Sequence, residues 1–289
     1  MYRLNLLRIN YGAAVMSGRY RTVLITGASS GMGKGFTEQL LSEGMIVYAA
    51  ARSIDKMSDL AKAGAIVLKM DITSDDDIVT AVEKIKADHG GVDVLINNAG
   101  YGQYGSVEET PVDAARYQFE VNLFGLARLT QLLIPSMREQ GKGLIINISS
   151  MGGVMYTPLG AWYHATKHAL EGWSDCLRFE LQPLGIDVVI VQPGLISTGF
   201  GDAVGENFIE SKNSPYSALI AAIKKGTEET YAAGRFSPPS VITNVILKAI
   251  RAKRPRTRYA AGAVGPMAMK IRRIVPDRMF DWILRSQVK

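Results

Sequence analysis

The sequence is poor in cysteine and histidine, on which most disulfide frameworks and zinc sites depend. Its 289 residues include one cysteine, Cys176, so no internal disulfide can form. The three histidines, His89, His164 and His168, lack the spacing of zinc ligands. We therefore expect no bound metal, and we expect Cys176 to be a buried structural thiol.

Long apolar runs are also missing, because no uninterrupted stretch approaches the roughly 18 residues that indicate a membrane-spanning helix. We therefore expect a soluble, cytoplasmic protein. The net charge is +6, and the basic excess is concentrated in residues 248–258 and at Lys270, Arg272 and Arg273. Since neither aromatic interleaving nor a reader motif accompanies these charges, we expect no nucleic acid partner. A solvated surface is the more usual interpretation, with attraction to anionic lipid as the alternative.

From Thr22 onward, short β-branched apolar runs alternate with longer amphipathic stretches, a pattern typical of a parallel sheet covered by helices. The near-continuous apolar character of the runs indicates strands buried on both faces. The predicted strands are Val23–Thr26, Ile46–Ala50, Ala65–Met70, Val92–Ile96, Leu144–Ile148 and Asp187–Gln192. Helices are predicted to begin near Met32, Asp55, Asp75, Val112 and Pro158. The sequence thus predicts an α/β fold with a single domain over residues 21–262.

Three segments depart from this alternation. Residues 1–20 are predicted to be a poorly ordered extension, because the first fifteen lack acidic side chains and precede a second methionine. Residues 197–239 are polar and irregular apart from a helical stretch around Ala218–Tyr231. An insertion after a strand's carboxyl end overlies the ligand crevice, so we predict a substrate lid there. Residues 263–289 form an amphipathic extension, with a helix beyond Pro276 that we expect to pack on the body rather than on a membrane.

Tyr163 and Lys167 lie four residues apart, which places them on one face of a helix. A free tyrosine has a pKa near ~10, and a neighbouring cation pulls that pKa towards the working range. Such a pair is common by chance, so its meaning depends on the rest of the chain. Ser150 precedes Tyr163 by thirteen residues. Because neighbouring side chains alternate at a strand end, we expect Ser150, and not Ser149, to point towards a substrate.

The first predicted strand runs into a glycine-rich turn that leads into a helix. Glycines in this context let the backbone turn tightly and approach a pyrophosphate, whose charge then meets the N-terminus of the helix. The turn therefore predicts a dinucleotide site. Its sequence is Thr26-Gly27-Ala28-Ser29-Ser30-Gly31-Met32-Gly33.

The glycine spacing is followed, in order, by Asn97-Asn98-Ala99-Gly100, by Ser150, by Tyr163 and Lys167, and by Pro193-Gly194. With these motifs the chain resembles the short-chain dehydrogenase/reductase family, including its steroid- and retinol-type NADP-dependent oxidoreductases. The resemblance extends from about Thr22 to Ala260. It implies a Rossmann-type doubly wound parallel sheet, a nicotinamide cofactor and reversible hydride transfer to a carbonyl group.

The resemblance also implies a set of cofactor-binding residues. Asp71 is expected at the adenine, Asn98 and Ala99 along the adenosine, and Thr198 at the nicotinamide carboxamide. A turn stabilised by the side chain of Asn98 is compatible with that role. The expected contacts are Gly27, Ser29, Ser30, Gly31, Met32, Gly33, Arg52, Asp71, Ile72, Asn98, Ala99, Gly100, Tyr163, Lys167, Pro193, Gly194, Ile196 and Thr198.

The end of the second predicted strand bears on the choice between NADP and NAD. NAD-selective relatives commonly have an acidic residue there, whereas this chain has Ala51 and then Arg52. A guanidinium group can bind the 2′-phosphate of NADP through paired hydrogen bonds. Many NADP-using relatives also carry a base in the glycine loop, and here Ser30 occupies that position. NADP is therefore favoured, and NAD remains the alternative.

For the reaction, the resemblance implies four catalytic residues. Tyr163 gives a proton to the carbonyl oxygen, Ser150 hydrogen-bonds that oxygen, and Lys167 lowers the proton affinity of Tyr163 and binds the nicotinamide ribose. Asn122 matches the asparagine that holds a water against the lysine.

The predicted pocket is apolar and aromatic, which favours a hydrophobic alcohol, ketone or aldehyde. It draws on residues 151–156, Pro158, Trp162, Phe200 and Phe208. The long helices that begin near Val112 and Pro158 predict a homodimer or homotetramer. The alternative function is a catalytically silent dinucleotide sensor or interaction protein.

Overall fold

The computed structural model describes residues 19–198 and 208–286, so Phe200 and most of the N-terminal extension lie outside it. All six predicted strands are present, and the same sheet gains a seventh, β9, that was not predicted. Residues Arg258–Ala261 follow a basic segment rather than begin an apolar run, so no local pattern indicated a strand there. The strands are β1 Thr22–Thr26, β2 Ile46–Ala51, β3 Ile66–Lys69, β4 Val94–Asn97, β5 Tyr104–Gly105, β6 Gly143–Ile148, β7 Ile186–Pro193, β8 Phe208–Ile209 and β9 Arg258–Ala261.

Seven of these strands form one parallel sheet in the order β3-β2-β1-β4-β6-β7-β9. The order reverses between β1 and β4, and in an open α/β sheet a ligand crevice lies at the carboxyl ends beside that reversal. The remaining pair, β5 and β8, forms a separate two-stranded parallel ribbon. The fold is therefore the predicted Rossmann-type α/β fold.

Helices cover both faces of the sheet, which explains why its strands are apolar on both sides. One face packs against α1 and α8 through residues such as Phe36 and Ile246. The other face packs against α3, α5 and α6 through residues such as Ile85 and Leu129. The helices are α1 Gly31–Ser42, α2 Ser58–Lys62, α3 Asp75–His89, α4 Val112–Phe119, α5 Gly125–Glu139, α6 Ala161–Leu181, α7 Ser217–Ala232, α8 Ser240–Arg251, α9 Gly265–Ile274 and α10 Asp277–Ser286.

The prediction that Cys176 is buried was wrong, because Cys176 is exposed. It lies on α6, whose buried positions Leu170, Ser174 and Leu177 follow a helical period. Cys176 falls on the opposite side of that helix, near the exposed Phe179. Local apolar character therefore does not reveal which side of a long helix faces the core.

The two segments that follow β7 both contain predicted helices. The stretch expected around Ala218–Tyr231 is α7, and the helix expected beyond Pro276 is α10. As expected, the tail packs on the body, because the buried Phe280 ring meets the Tyr156 ring edge-on at 5.2 Å. Across residues 19–198 and 208–286, no helix is long and apolar enough to cross a membrane.

A buried carboxylate at Asp93 joins the starts of three strands. Its Oδ2 accepts hydrogen bonds from the backbone N–H groups of Arg21 and Thr22, at 2.7 and 3.0 Å. Its Oδ1 lies 2.8 Å from the Nζ of Lys142, just before β6. Burial alone would raise the pKa of Asp93, but the Lys142 ammonium and the two N–H groups outweigh it and hold the pKa below its usual value.

We predict that Asp93→Asn lowers the free energy of unfolding by about 1–3 kcal/mol at neutral pH, because it removes a charge that several buried donors share. Since folding lowers the pKa of Asp93, its stabilisation is present above the unfolded value and is lost as the pH falls through the folded value. Urea unfolding of both proteins at a series of pH values measures the difference.

The matched control is Asp187→Asn, whose partner Arg19 has a 40% exposed side chain. An exposed ion pair stabilises by less than about 1 kcal/mol, so this variant should stay close to the parent protein. Equal losses in the two variants would show that Asp93 has no special structural role.

Candidate active site

The carboxyl end of β6 and the first turns of α6 bring three of the predicted catalytic residues together. The backbone N–H of Gly152 donates a hydrogen bond to the Ser150 Oγ at 3.0 Å, which fixes that hydroxyl at the start of a 3-10 helix, Met151–Gly153. Ser150 also hydrogen-bonds the buried hydroxyl of Tyr163. Ser149 is buried on the other side, against Gly153 and Glu171, as strand alternation predicts.

The electrostatics of Tyr163 differ from the sequence-based expectation. Burial raises the pKa of Tyr163 to about 12, and the hydrogen bond from Ser150 acts in the opposite direction. A net lowering of that pKa was expected from the cation four residues away, but burial dominates. The phenol is therefore protonated at neutral pH.

Lys167 is buried at the end of the sheet. Its Nζ donates to the backbone carbonyl of Ile148, the last residue of β6, at 2.9 Å. Burial lowers the pKa of Lys167 to about 8, and the charge of Glu171 acts against this shift. Glu171 accepts hydrogen bonds from Gln192 on β7 and Arg258 on β9, both at 3.0 Å. Neither Glu171 nor Arg258 was predicted, because nothing in the sequence links residues so far apart.

Asn122 lies in a π-helical turn, Glu120–Phe124, between α4 and α5. Its Oδ1 accepts from the N–H of Tyr101, and its Nδ2 donates to the carbonyl of Tyr101 and to the Thr166 hydroxyl, all within 3.0–3.1 Å. Both amide hydrogens are thus used by protein groups. A water at Asn122 would therefore have to donate, either to the second lone pair of the Oδ1 or to the main-chain carbonyl. The side chain itself fixes the segment at Gly100, where an added Cβ would lie 3.7 Å from the Lys167 Nζ.

The glycine turn has the geometry that a dinucleotide phosphate requires. Gly27 adopts a φ of +67°, and a Cβ on Gly33 would lie 2.3 Å from the Gly27 carbonyl oxygen, so both positions need glycine. Ser30 precedes α1 without a side-chain cap. The N–H groups of the first turn of α1 are therefore open to an anion at the positive end of the helix. Gly31 is exposed, and Thr198 lies beside it.

Asn98 holds this turn against β4. Its Nδ2 donates to the carbonyls of Thr26 and Gly27 at 2.9 and 3.3 Å. The Thr26 hydroxyl accepts from the backbone N–H groups of Asn98 and Ala99 at 3.0 and 2.9 Å. The turn-stabilising interpretation of Asn98 is confirmed, whereas contact with an adenosine stays a prediction. Thr26 was not predicted, although its place before the glycines was a usable signal.

The predicted adenosine contacts surround the ends of β2 and β3. Arg52 is exposed, and its Nη1 lies 3.4 Å from the Tyr117 hydroxyl. The glycine turn is close by, since the Ala28 N–H donates to the Ala50 carbonyl at 3.2 Å. The Oδ1 of Asp71 accepts from the N–H and hydroxyl of Thr73, so one carboxylate oxygen closes a turn.

The other predicted cofactor residues lie at strand ends and in the glycine turn. Ile72 and Ile196 are buried, whereas Ser29 and Met32 are half-buried. Pro193 ends β7, and a Cβ on the following Gly194 would lie 2.2 Å from the Ala263 carbonyl oxygen, so the backbone approaches closely there.

An aromatic wall adjoins Tyr163. The Tyr104 ring lies 5.8 Å from the Tyr163 ring and 5.9 Å from the Phe208 ring, so the β5–β8 ribbon brings the predicted Phe208 to this site. His164 was not predicted. It donates from Nδ1 to the Gly152 carbonyl and accepts at Nε2 from the Thr157 N–H, both at 3.0 Å. Burial lowers the pKa of His164, so the ring is neutral and ties together the loop after Ser150.

A cavity of about 480 Å³ lies beyond this loop. Tyr156 and Pro158 belong to the predicted pocket and Thr157 lies between them, but the other lining residues come from α7 and α10. The Tyr156 hydroxyl donates to the Asp281 Oδ1 at 2.7 Å, which fixes α10 at the rim. The tail's contribution was missed because no sequence signal connects it to residues 156–158. The lining residues are Tyr156, Thr157, Pro158, Leu219, Asp281, Leu284 and Arg285.

Comparison with known proteins agrees with this geometry. Residues 21–207 match the short chain dehydrogenase family. A 3-ketodihydrosphingosine reductase of Bacteroides thetaiotaomicron is 37% identical over 265 residues, which cover 91% of this chain and 96% of that protein. An NADPH-dependent 3-dehydrocapnine reductase of Ornithobacterium rhinotracheale is 32% identical over 278 residues, which cover 93% and 98%.

A solved short-chain dehydrogenase from Streptomyces avermitilis shares the fold and about a third of the residues. It has a TM-score of 0.78 and 34% identity, over 93% of this chain and 98% of that chain. The chain therefore belongs to the short-chain dehydrogenase/reductase family and is an NAD(P)-dependent oxidoreductase.

Proposed function

We propose that this protein is an NADP-dependent reductase of hydrophobic ketones that also catalyses the reverse oxidation. The observation that carries the proposal is the hydrogen-bonded pair of Ser150 and Tyr163, held one helical turn from the buried Lys167 and beside the open glycine turn. A proton donor, a second hydroxyl and a cation thus adjoin a cradle suited to a dinucleotide.

In the proposed reduction, a nicotinamide dinucleotide held by the glycine turn and Lys167 would supply hydride to the carbonyl carbon. Tyr163 gives its proton to the carbonyl oxygen, and the Ser150 hydroxyl hydrogen-bonds that oxygen as negative charge develops. The raised pKa of Tyr163 keeps the phenol protonated at neutral pH, which is the form that reduction needs. Lys167 would bind the nicotinamide ribose, while Asn122 and Glu171 position the backbone and charge around it.

Two observations support a long-chain ketone as the substrate class. The cavity has apolar walls from Pro158, Leu219 and Leu284, and it lies beyond the loop that begins at Ser150. The two relatives are named for the reduction of 3-ketodihydrosphingosine and 3-dehydrocapnine, and the second is named as NADPH-dependent. We propose that residues 197–239, including α7, act as the lid over such a chain.

We predict that kcat/KM for NADPH-dependent reduction rises with chain length across a series of 3-ketones, from short ketones to 3-ketodihydrosphingosine.

Tyr163→Phe should lower turnover of the best substrate by about 10²–10⁴-fold, because proton transfer from a positioned side chain contributes that much. NADPH binding should stay nearly intact. NADPH absorbance measures turnover, and fluorescence titration measures binding.

Tyr48→Phe is the control for loss of a tyrosine hydroxyl, since Tyr48 is buried away from the site and bonds Asp88 and His89. It should retain activity. Full turnover in Tyr163→Phe would refute the proton-transfer role, and a rate independent of chain length would refute the substrate class.

The proposed preference for NADP rests on Arg52. This exposed guanidinium follows β2 beside the glycine turn, and no acidic residue stands at the preceding position, Ala51. Arg52 is also close to Tyr101, on the segment that follows Gly100. Burial raises the pKa of Tyr101 to about 12, and the positive charge of Arg52 opposes that rise. A 2′-phosphate on the adenosine ribose would find a cation there instead of a repelling carboxylate.

We predict that Arg52→Asp moves the ratio of kcat/KM for NADPH to that for NADH by at least tenfold towards NADH, because it replaces attraction for a phosphate with repulsion. Steady-state rates with each dinucleotide measure the ratio. The control is Arg254→Asp, which makes the same charge change. Arg254 is exposed and precedes β9, at the end of the sheet away from the glycine turn, so this variant should leave the ratio unaltered. An unchanged ratio in Arg52→Asp would disprove the assignment.

The lowered pKa of Lys167 predicts a pH dependence. Lys167 is charged below about pH 8 and neutral above it, so kcat/KM for NADPH should fall as the pH rises through that value. Glu171→Gln should move this fall to lower pH, since the charge of Glu171 raises the pKa of Lys167. Lys167→Arg should remove the fall, because guanidinium stays protonated. A pH profile identical in all three proteins would mean that another group titrates.

Two exposed phenylalanines support self-association. Phe124, the last residue of the π-helical turn before α5, is 53% exposed, and Phe179, near the end of α6, is 76% exposed. Large exposed apolar side chains on long helices are typical of interfaces between subunits. We propose that these helix faces meet in a homodimer or homotetramer.

A further inference from the structure

The helix α9, the first of the two helices in the C-terminal extension, presents an apolar stripe to solvent. Met267, Ile271 and Ile274 are 64%, 37% and 82% exposed, and their spacing places them on one side of the helix. The buried side of α9 carries Met269 instead. This helix therefore has one apolar side for the body and another that the described part of the chain leaves uncovered.

The next helix, α10, is covered on one flank only. Phe280 is buried against Tyr156, whereas Met279 and Trp282 are 50% and 69% exposed. A helix that needed only to pack on the body would carry polar residues at these two positions. We call the exposed apolar residues of the two helices the tail face; they are Met267, Ile271, Ile274, Met279 and Trp282.

The charges around the tail face are mostly positive. Asp277 is paired with Arg272 at 2.7 Å, and Asp281 accepts the hydrogen bond from Tyr156. The exposed cations on the same two helices are Lys270, Arg273, Arg278 and Arg285. Apolar side chains interleaved with exposed cations on an amphipathic helix are typical of a segment that lies in a lipid interface.

We propose that the tail face docks on an anionic lipid surface. The apolar side chains enter the headgroup boundary, and the four cations meet lipid phosphates. A second copy of this chain is the competing occupant. In a two-fold symmetric contact, however, the same patch meets itself, so two surfaces of net positive charge would be brought together and repel. Charge complementarity therefore favours the lipid.

Docking there has a consequence for the cavity. Leu284 lines the cavity from α10, and Met279 and Trp282 lie on the other side of the same helix, with Arg285 at the edge between the cavity and the tail face. A helix is about 10–12 Å across, so the lipid phase would lie one helix diameter from the cavity wall. The site would then receive an amphiphile directly from the lipid. The docking itself does not depend on the proposed function.

Vesicle binding by the full chain tests the docking. The protein is mixed with phosphatidylcholine vesicles, with and without phosphatidylglycerol, and the bound fraction is measured by flotation. Binding should require the anionic lipid and weaken with salt. Arg273→Gln with Arg278→Gln should weaken it about thirtyfold, since each basic residue near the surface contributes about fivefold.

The matched control is Lys253→Gln with Arg254→Gln, which removes two exposed cations at the other end of the sheet and should leave binding unchanged. Ile274→Ser with Trp282→Ser should reduce binding at least tenfold, because it removes two exposed apolar anchors. NADPH binding and the thermal midpoint check that each variant is folded.

Three outcomes would overturn the docking. One is no binding to anionic vesicles by the parent protein. Another is equal loss in the control and test pairs, which would mean an effect of net charge alone. The third is that the parent protein does not bind vesicles and that the double variant Ile274→Ser with Trp282→Ser sediments with a lower mass than the parent. That result would assign the tail face to contact between copies of the chain. Because no substrate is present, these results are independent of whether the protein reduces ketones.

Discussion

Burial of the Lys167 ammonium is the constraint on which the site depends. A buried cation is costly unless polar groups surround it, and its pKa of about 8 reflects that cost. The Ile148 carbonyl accepts a hydrogen bond from the Lys167 Nζ, which ties α6 to the end of β6. The charge of Glu171 opposes the shift, and Glu171 needs Gln192 and Arg258 in turn. Three neighbouring strands are thereby fixed to one helix, and Tyr163 is carried into place one turn earlier.

The cofactor side of the site uses asparagine side chains as braces. Asn98 joins β4 to the glycine turn through two backbone carbonyls, and Asn122 joins the π-helical turn to both backbone groups of Tyr101. Each brace replaces hydrogen bonds that irregular backbone would otherwise lack. The turn and the Gly100 segment can then be rigid without being helix or strand. Rigid backbone matters because a phosphate cradle and a proton donor work only when their atoms are held in register.

Sequence reasoning reached the parts of this structure that local patterns encode. The strands buried on both faces, the glycine turn and the four-residue step from Tyr163 to Lys167 are all short-range signals. Sequence reasoning missed Arg258 on β9, because the role of Arg258 depends on its hydrogen bond to Glu171, which is 87 residues away. It also misjudged Cys176 and the pKa of Tyr163. Both depend on burial, and burial is decided by what packs against a residue rather than by its neighbours in sequence.

The residues assigned to the chemical step and most of the residues that line the cavity lie in different parts of the chain. The family match ends at residue 207, and it includes Ser150, Tyr163 and Lys167. Leu219, Asp281, Leu284 and Arg285, four of the seven residues around the cavity, lie beyond it. The residues to which we assign proton transfer thus lie inside the family match, whereas more than half of the cavity's lining residues come from α7 and α10. Since α10 is held at Tyr156 by one ring contact and one hydrogen bond, the shape of the cavity depends on how the tail docks. Substrate choice in this chain should therefore follow the tail more closely than the catalytic residues.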